Sequence, residues 1–163
     1  MVGSPLLSMH PHIANVGKDD FDEKPDGIAI LDFGGQYCHL IARRIREMKV
    51  YSEILPCDAS LEEIDRLDRV MHLKGIILSG SPSSVRKSGA PKIDEEFFCR
   101  GLPILGLCYG HQLIAFMQGG EVRRGEKKEY GVTLAQIDRP IDVLKGMSSI
   151  EKVWMSHGDT VFS

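Results

Sequence analysis

The sequence predicts an α/β fold, in which an open, mostly parallel sheet of three-layer type has helices on both faces. Short apolar runs alternate with amphipathic segments four times between residues 28 and 118. The apolar runs, of which residues 75–79 are typical, lack the polar alternation of a strand with one wet face, which indicates strands buried on both sides. Three of these strands end in glycine-containing turns, at the edge where ligands of such sheets bind.

The first elements are set by local patterns. Residues 28–32 form an apolar strand that ends in a turn at 33–35. Helical spacing then places Tyr37, Leu40, Ile41, Ile45 and Met48 on one face of a helix. The next strand covers residues 50–55.

A capping box precedes the second helix. Ser60 and Glu63 have the spacing of this motif, and Leu61, Ile64 and Leu67 continue the segment as a helix. The remaining predicted elements are, in order, a strand over 75–79, a short helix over 93–100, a strand over 103–107, a helix over 110–118, and strands over 121–124, 130–137 and 152–155.

Composition excludes several classes of function. The net charge of −3 argues against a nucleic-acid binder that relies on bulk charge. No apolar run approaches the roughly 18 residues of a membrane helix. The cysteines at 38, 57, 99 and 108 form no C-x-x-C pair, so no metal site is expected. Free thiols indicate a reducing compartment and a cytoplasmic location.

Residues 1–26 differ from the remainder. They contain three prolines and an acidic cluster and lack arginine, a pattern unlike that of a secretory signal or a mitochondrial presequence. We expect a disordered polar tail here, followed by a single domain over 27–163. A short docking or regulatory arm is the alternative.

Cys108 is the principal catalytic candidate. It occupies the centre of Gly-Leu-Cys-Tyr-Gly (106–110) between a predicted strand and a helix, which is a cysteine version of the nucleophile elbow. Flanking glycines permit the tight turn, and the helix amino end favours the thiolate. The Tyr109 amide would then lie where an oxyanion donor is needed. The alternative is a buried core cysteine, which is common in proteins.

A second oxyanion donor and a base are also needed. Gly80 and Ser81 follow a neighbouring strand, where small residues let the backbone approach a substrate, so the Ser81 amide is a candidate donor. A cysteine nucleophile usually pairs with an oriented histidine. Spacing alone nominates His157 as the base, with Asp159 as its orienting carboxylate, in a polar loop after the last strand.

Four segments together resemble the class I (triad-type) glutamine amidotransferases, a flavodoxin-like family. They are ILDFGGQY at 30–37, IILSGSPSSV at 76–85, GLCYGHQ at 106–112 and VWMSHGD at 153–159. The first and last segments favour the glutaminase domain of the GMP synthase family over relatives in anthranilate or carbamoyl-phosphate synthesis. The resemblance covers residues 28–163.

The resemblance implies a role for each matching position. Cys108 would attack the side-chain amide of L-glutamine, and the amides of Ser81 and Tyr109 would form the oxyanion hole. The amino-acid end of glutamine would be held by Gly80, Gln112, Ser156, His157, Gly158 and Asp159. This assigns His157 and Asp159 to substrate binding rather than to a triad. The domain itself would need no cofactor. The ammonia would pass to a synthetase domain, which uses ATP and Mg²⁺ to aminate XMP to GMP.

The sequence departs from the family pattern in two respects. Gly-Ser-Pro at 80–82 replaces the usual Gly-Gly-Pro, which keeps the amide but adds a side chain. The family's catalytic His and Glu lie in a later Phe-His-Pro-Glu motif, and the sequence ends at Ser163 before it. We therefore expect an incomplete C-terminal part and weak activity. A non-catalytic short protein that binds glutamine or a partner is the alternative.

Overall fold

The computed structural model describes residues 24–162, with the side chains of 126–130 and 157 outside the description. Its elements are β1 (Asp26–Asp32), α1 (Cys38–Glu47), β2 (Tyr51–Pro56), α2 (Leu61–Val70), β3 (His72–Leu78), a 3₁₀ helix (Glu95–Cys99), β4 (Ile104–Gly106), α3 (Tyr109–Met117), β5 (Glu121–Gln136), a 3₁₀ helix (Asp142–Leu144) and β6 (Ile150–Phe162). The expected tail lies outside the described residues up to 23, and β1 begins at Asp26, inside the range assigned to the tail.

The central sheet has four parallel strands in the order β2-β1-β3-β4. Leu31 of β1 pairs with Leu78 of β3, and Leu78 pairs with Gly106 of β4. This register brings the ends of the three strands to one level. The turns that follow them therefore meet at the same edge, as the sequence predicts.

Helices cover both faces of this sheet, which confirms the predicted α/β architecture. On one face, Leu31 and Ile76 pack in a cluster with Ile64 of α2, Phe97 of the first 3₁₀ helix and Leu113 of α3. On the other face, Ile30 packs against Cys38, Ala42 and Ile45 of α1. Each large aliphatic or aromatic side chain buried in this way contributes about 1.5–3 kcal/mol.

The buried face of α1 differs from the predicted one. Tyr37, Leu40 and Met48 are 54%, 46% and 68% exposed, whereas Cys38 and Ala42 are buried. The physical reason is distance, because small side chains let α1 lie close against β1 and larger ones would hold it away. Only Ile45 and the partly buried Ile41 of the predicted face pack against the sheet.

The capping box of α2 is confirmed. Ser60 Oγ accepts a hydrogen bond from the Glu63 amide at 3.3 Å, and Glu63 Oε2 accepts one from the Ser60 amide at 2.8 Å. The short helix predicted over 93–100 is a 3₁₀ helix, Glu95–Cys99.

β5 and β6 form a separate antiparallel ribbon. The two strands predicted over 121–124 and 130–137 are one strand, with a register shift between Arg124 and Glu129. The prediction of a polar loop at residues 156–159 is wrong, since these residues lie within β6. Ser156, His157 and Asp159 pair with residues of β5, which keeps them extended in spite of their polar side chains, and Gly158 lies at the register shift.

None of the helices described between residues 24 and 162 has the length and apolarity that crossing a membrane requires.

Candidate active site

Cys108 lies at the turn between β4 and α3 with strained backbone geometry. Its φ is 53° and its ψ is −108°, and it is one of three non-glycine residues with positive φ in the described chain. Such a conformation costs about 1–3 kcal/mol and persists only where the surroundings impose it. The Cys108 side chain is exposed. A strained, accessible thiol directly before a helix is the geometry of a nucleophile elbow.

The flanking glycines are required by close backbone contacts. A Cβ added to Gly106 would lie 2.4 Å from the carbonyl carbon of Gly110, and one added to Gly110 would lie 2.3 Å from the Leu78 carbonyl oxygen. A Cβ on Gly80 would lie 3.8 Å from Cys108 Cβ, so the loop after β3 borders the nucleophile. The elbow therefore fits tightly against β3.

Two backbone amides near the thiol have no partner within the described residues. The Gly110 amide donates to the carbonyls of Ser79, at 3.2 Å, and Leu107, at 3.0 Å. By contrast, no hydrogen bond from the amides of Tyr109 or Ser81 is found between residues 24 and 162. These are the two amides that the sequence predicts as oxyanion donors, and that role stays a prediction.

The Tyr109 side chain anchors the turn from the opposite side. Its hydroxyl donates to the Pro91 carbonyl oxygen at 2.5 Å, and its ring centroid lies 5.4 Å from that of Phe33. Burial raises the pKa of Tyr109 to about 12. The phenol therefore stays neutral and structural, and only the Tyr109 backbone is placed for chemistry.

The turn after β1 supports the loop after β3, a relation that sequence reasoning missed. Ser79 Oγ accepts a hydrogen bond from the Phe33 amide at 3.0 Å and donates to the Gly80 carbonyl at 3.2 Å. A Cβ on Gly35 would lie 2.4 Å from the Gly80 carbonyl oxygen. The only available signal was the pair of glycines after β1.

Gln112 reaches from α3 to β6. It lies one helical turn after Cys108, is 6% exposed, and donates from Nε2 to the Asp159 carbonyl oxygen at 2.8 Å. Cys108 Sγ lies 3.9 Å from the Ser156 carbonyl oxygen. The structure thus brings together four of the residues that the sequence nominates, although 47 positions separate Gln112 from Asp159.

The Asp159 carboxylate has two partners that no sequence pattern predicts. Ser84 Oγ donates a hydrogen bond to Oδ2, and Arg86 Nη1 lies 3.9 Å from Oδ1. Both partners belong to the loop after β3. No spacing rule could have found them, because Ser84 is 75 positions from Asp159.

His157 and Gly158 lie on β6 beside these residues. The backbone of His157 pairs with that of Glu129. Its side chain lies outside the described part of the chain, so the assignment of His157 to substrate binding stays a prediction. The Asp159 carboxylate, which would orient His157 if it were a base, instead contacts Ser84 and Arg86.

The other cysteines lie in different surroundings. Burial, reinforced by the nearby Asp32 carboxylate, raises the pKa of the Cys38 thiol to about 11. Burial also raises the pKa of Cys57, and Cys99 is exposed. Among the described residues, no three His, Cys, Asp or Glu side chains come together as a metal site.

Cys108 has a positive φ at a strand–helix turn of a parallel sheet. This geometry is typical of enzymes with a nucleophile elbow. The chain belongs to the class-I glutamine amidotransferase family, whose model matches residues 29–163.

Within this family, the chain is similar to curated relatives that share one name. The chain is 50% identical over 144 residues to the glutamine-hydrolyzing GMP synthase of Lactobacillus acidophilus, covering 88% of this chain and 26% of that protein. It is 49% identical over 140 residues to the corresponding protein of Symbiobacterium thermophilum, covering 85% of this chain and 26% of that one. The chain therefore spans about a quarter of the length of these curated relatives.

Solved structures give the same fold. The match to a putative GMP synthase subunit from Thermoplasma acidophilum has a TM-score of 0.72 at 29% identity and covers 84% of this chain and 67% of that one. A glutamine amidotransferase from Thermotoga maritima matches with a TM-score of 0.62 at 19% identity, covering 85% of this chain and 63% of that one. The second match bears on the fold alone.

Proposed function

We propose that the chain is the glutaminase part of a GMP synthase, which releases ammonia from L-glutamine for the ATP-dependent amination of XMP to GMP. The observation that carries the proposal is the positive φ of Cys108, directly before α3. Such strain is maintained where it presents a nucleophile. The GMP synthase assignment is supported by relatives of that name at about half identity.

The chemical step is an acyl transfer. Cys108 Sγ attacks the side-chain carbonyl carbon of glutamine, and the amides of Tyr109 and Ser81 bind the resulting oxyanion. The carbon–nitrogen bond then breaks, the nitrogen takes up a proton, and ammonia leaves. Water hydrolyses the remaining thioester, which gives glutamate and restores the thiol.

The amino-acid end of glutamine binds between α3 and β6. This placement is supported by the Gln112 hydrogen bond to the Asp159 carbonyl, by the Ser156 carbonyl 3.9 Å from Cys108 Sγ, and by Gly80 bordering Cys108. An ammonium and a carboxylate on one carbon need both acceptors and donors, and this set supplies both. ATP, Mg²⁺ and XMP belong to a synthetase region outside these residues, and the proposed location is the cytoplasm.

No general base is identified among the described residues of the site. Without an oriented base, the rate falls by about 10²–10⁴. We therefore expect the 163-residue chain to release ammonia far more slowly than a complete relative assayed beside it. The residual release should disappear in Cys108→Ala and persist in the control Cys99→Ala, which alters an exposed cysteine outside the site.

Three results would change this proposal. Equal ammonia release by Cys108→Ala and the unmodified chain would remove the nucleophile assignment. A rate like that of the complete relative would restore His157 as the base. Glutamine binding with no Cys108-dependent ammonia release would favour the alternative of a non-catalytic glutamine-binding module.

A further inference from the structure

The Asp159 carboxylate is fixed by the loop that follows β3. Ser84 Oγ donates to one carboxylate oxygen, and Arg86 Nη1 lies 3.9 Å from the other. The Asp159 side chain is only 13% exposed. Because water competes weakly at such a site, a charge-assisted hydrogen bond there is stronger than one on the surface.

The backbone of the same residue is fixed from the opposite side. Gln112 of α3 donates to the Asp159 carbonyl oxygen at 2.8 Å. Asp159 therefore joins three elements that border Cys108, namely the loop after β3, α3 and β6. Of the described side-chain hydrogen bonds, those made by Ser84, Cys108 and Gln112 are the ones that connect β6 to the parallel-sheet part.

The ribbon needs such connections. A two-stranded ribbon is marginally stable by itself, and β6 pairs with β5 alone in the described chain. The Ser156 carbonyl nevertheless lies near Cys108 Sγ, 3.9 Å away. Val161 packs this strand against the core, and the polar connections at Asp159 fix its position beside Cys108.

We propose that Ser84 and Arg86 are positioning residues that act through Asp159 to hold β6 over Cys108 and thereby set the affinity for glutamine. The inference rests on the proposed glutaminase function. Ser84 makes the direct hydrogen bond and has the larger effect. Arg86, whose side chain is 43% exposed, contributes a weaker ionic interaction that salt screens.

The test is the labelling of Cys108 by a glutamine chloroketone, an analogue whose electrophilic carbon replaces the side-chain amide. The thiolate displaces chloride, so labelling needs substrate binding but no general base. Its dependence on reagent concentration gives an apparent dissociation constant and a maximal rate. Iodoacetamide, which has no amino-acid end, measures the accessibility of the same thiol without binding.

In Ser84→Ala, the apparent dissociation constant for the chloroketone should rise several-fold, up to the limit of about 100-fold that the loss of a hydrogen bond to a charged group sets. The maximal labelling rate and the iodoacetamide rate should stay unchanged. Ser84→Thr keeps the hydroxyl and should restore the affinity. Arg86→Ala should give a smaller loss that shrinks as salt is added.

Ser83→Ala is the matched control. Ser83 lies in the same turn, and between residues 24 and 162 its hydroxyl makes no hydrogen bond. An unchanged affinity in Ser84→Ala, or equal losses in both variants, would overturn the proposal. A changed iodoacetamide rate at Cys108 in Ser84→Ala would also overturn it, because the thiol itself, and not only substrate binding, would then be altered. If the unmodified chain shows no saturable, glutamine-protected labelling, the proposed function itself fails.

Discussion

Replacement of Gly110 by alanine tests whether the elbow is packed as tightly as the structure indicates. The added Cβ would lie 2.3 Å from the Leu78 carbonyl oxygen and 2.6 Å from Leu78 Cβ. Ordinary contact begins at 3.4 Å. α3 must therefore move by about 1 Å away from β3, because a backbone carbonyl within a sheet cannot give way.

The cost follows from the contacts that this movement breaks. Overpacking costs about 1–3 kcal/mol. The hydrogen bonds between the Gly110 amide and the Ser79 carbonyl, and between the Leu107 amide and the Leu78 carbonyl, contribute about 1 kcal/mol each. Alanine recovers about 1 kcal/mol of helix propensity. The free energy of unfolding should therefore fall by about 2–4 kcal/mol, a large part of a domain's total stability.

Urea unfolding followed by far-UV circular dichroism measures this loss. With a slope of about 2 kcal/mol per molar urea, the midpoint should fall by about 1–2 M. Gly80→Ala is the control, since its Cβ would meet only Cys108 Cβ at 3.8 Å, and its stability should stay within about 1 kcal/mol. Equal stability of Gly110→Ala and the unmodified chain would refute the packing argument.

Two further outcomes are expected. Ser60→Ala removes one half of the α2 capping box and should lower the free energy of unfolding by about 1 kcal/mol in the same urea assay, and no loss would show that the cap is dispensable. At pH 8, Cys38 should be about 0.1% thiolate, because its pKa is about 11. Mass mapping should therefore find iodoacetamide adducts on Cys108 and Cys99 well before Cys38, whose labelling rises steeply with pH, and early labelling of Cys38 would contradict its burial.

Local sequence signals predict the parallel sheet and the elbow. Buried parallel strands are apolar throughout, so segments such as residues 75–79 are recognisable without tertiary information. The elbow is partly similar, because Gly106 is required by contacts with Gly110 and His111 in the same strand–turn–helix unit, whereas Gly110 is required by Leu78 of β3. The prediction and the structure agree where neighbouring residues determine the geometry.

Long-range packing determines the features that the sequence did not predict. The inward face of α1 depends on how closely the helix approaches β1, which favours Cys38 and Ala42 over Tyr37 and Leu40. The extended conformation at residues 156–159 depends on pairing with β5. Polar side chains there suggest a loop until the partner strand is known.

The candidate site likewise combines residues that the sequence predicts with residues that only the fold brings there. Cys108, Gln112 and Asp159 were nominated from the sequence and lie together. Ser84 and Arg86 were not nominated, because a serine and an arginine in a polar loop carry no pattern of their own. Only the fold brings them to the Asp159 carboxylate.

Capture of the thioester tests the central claim that Cys108 attacks glutamine. The chain would be incubated with carbon-radiolabelled L-glutamine, quenched with acid and digested, and the labelled peptide would be sequenced. The account predicts label on the peptide containing Cys108, released by hydroxylamine and absent from Cys108→Ala. Label that persists in Cys108→Ala, or that maps to Cys38, Cys57 or Cys99, would contradict it.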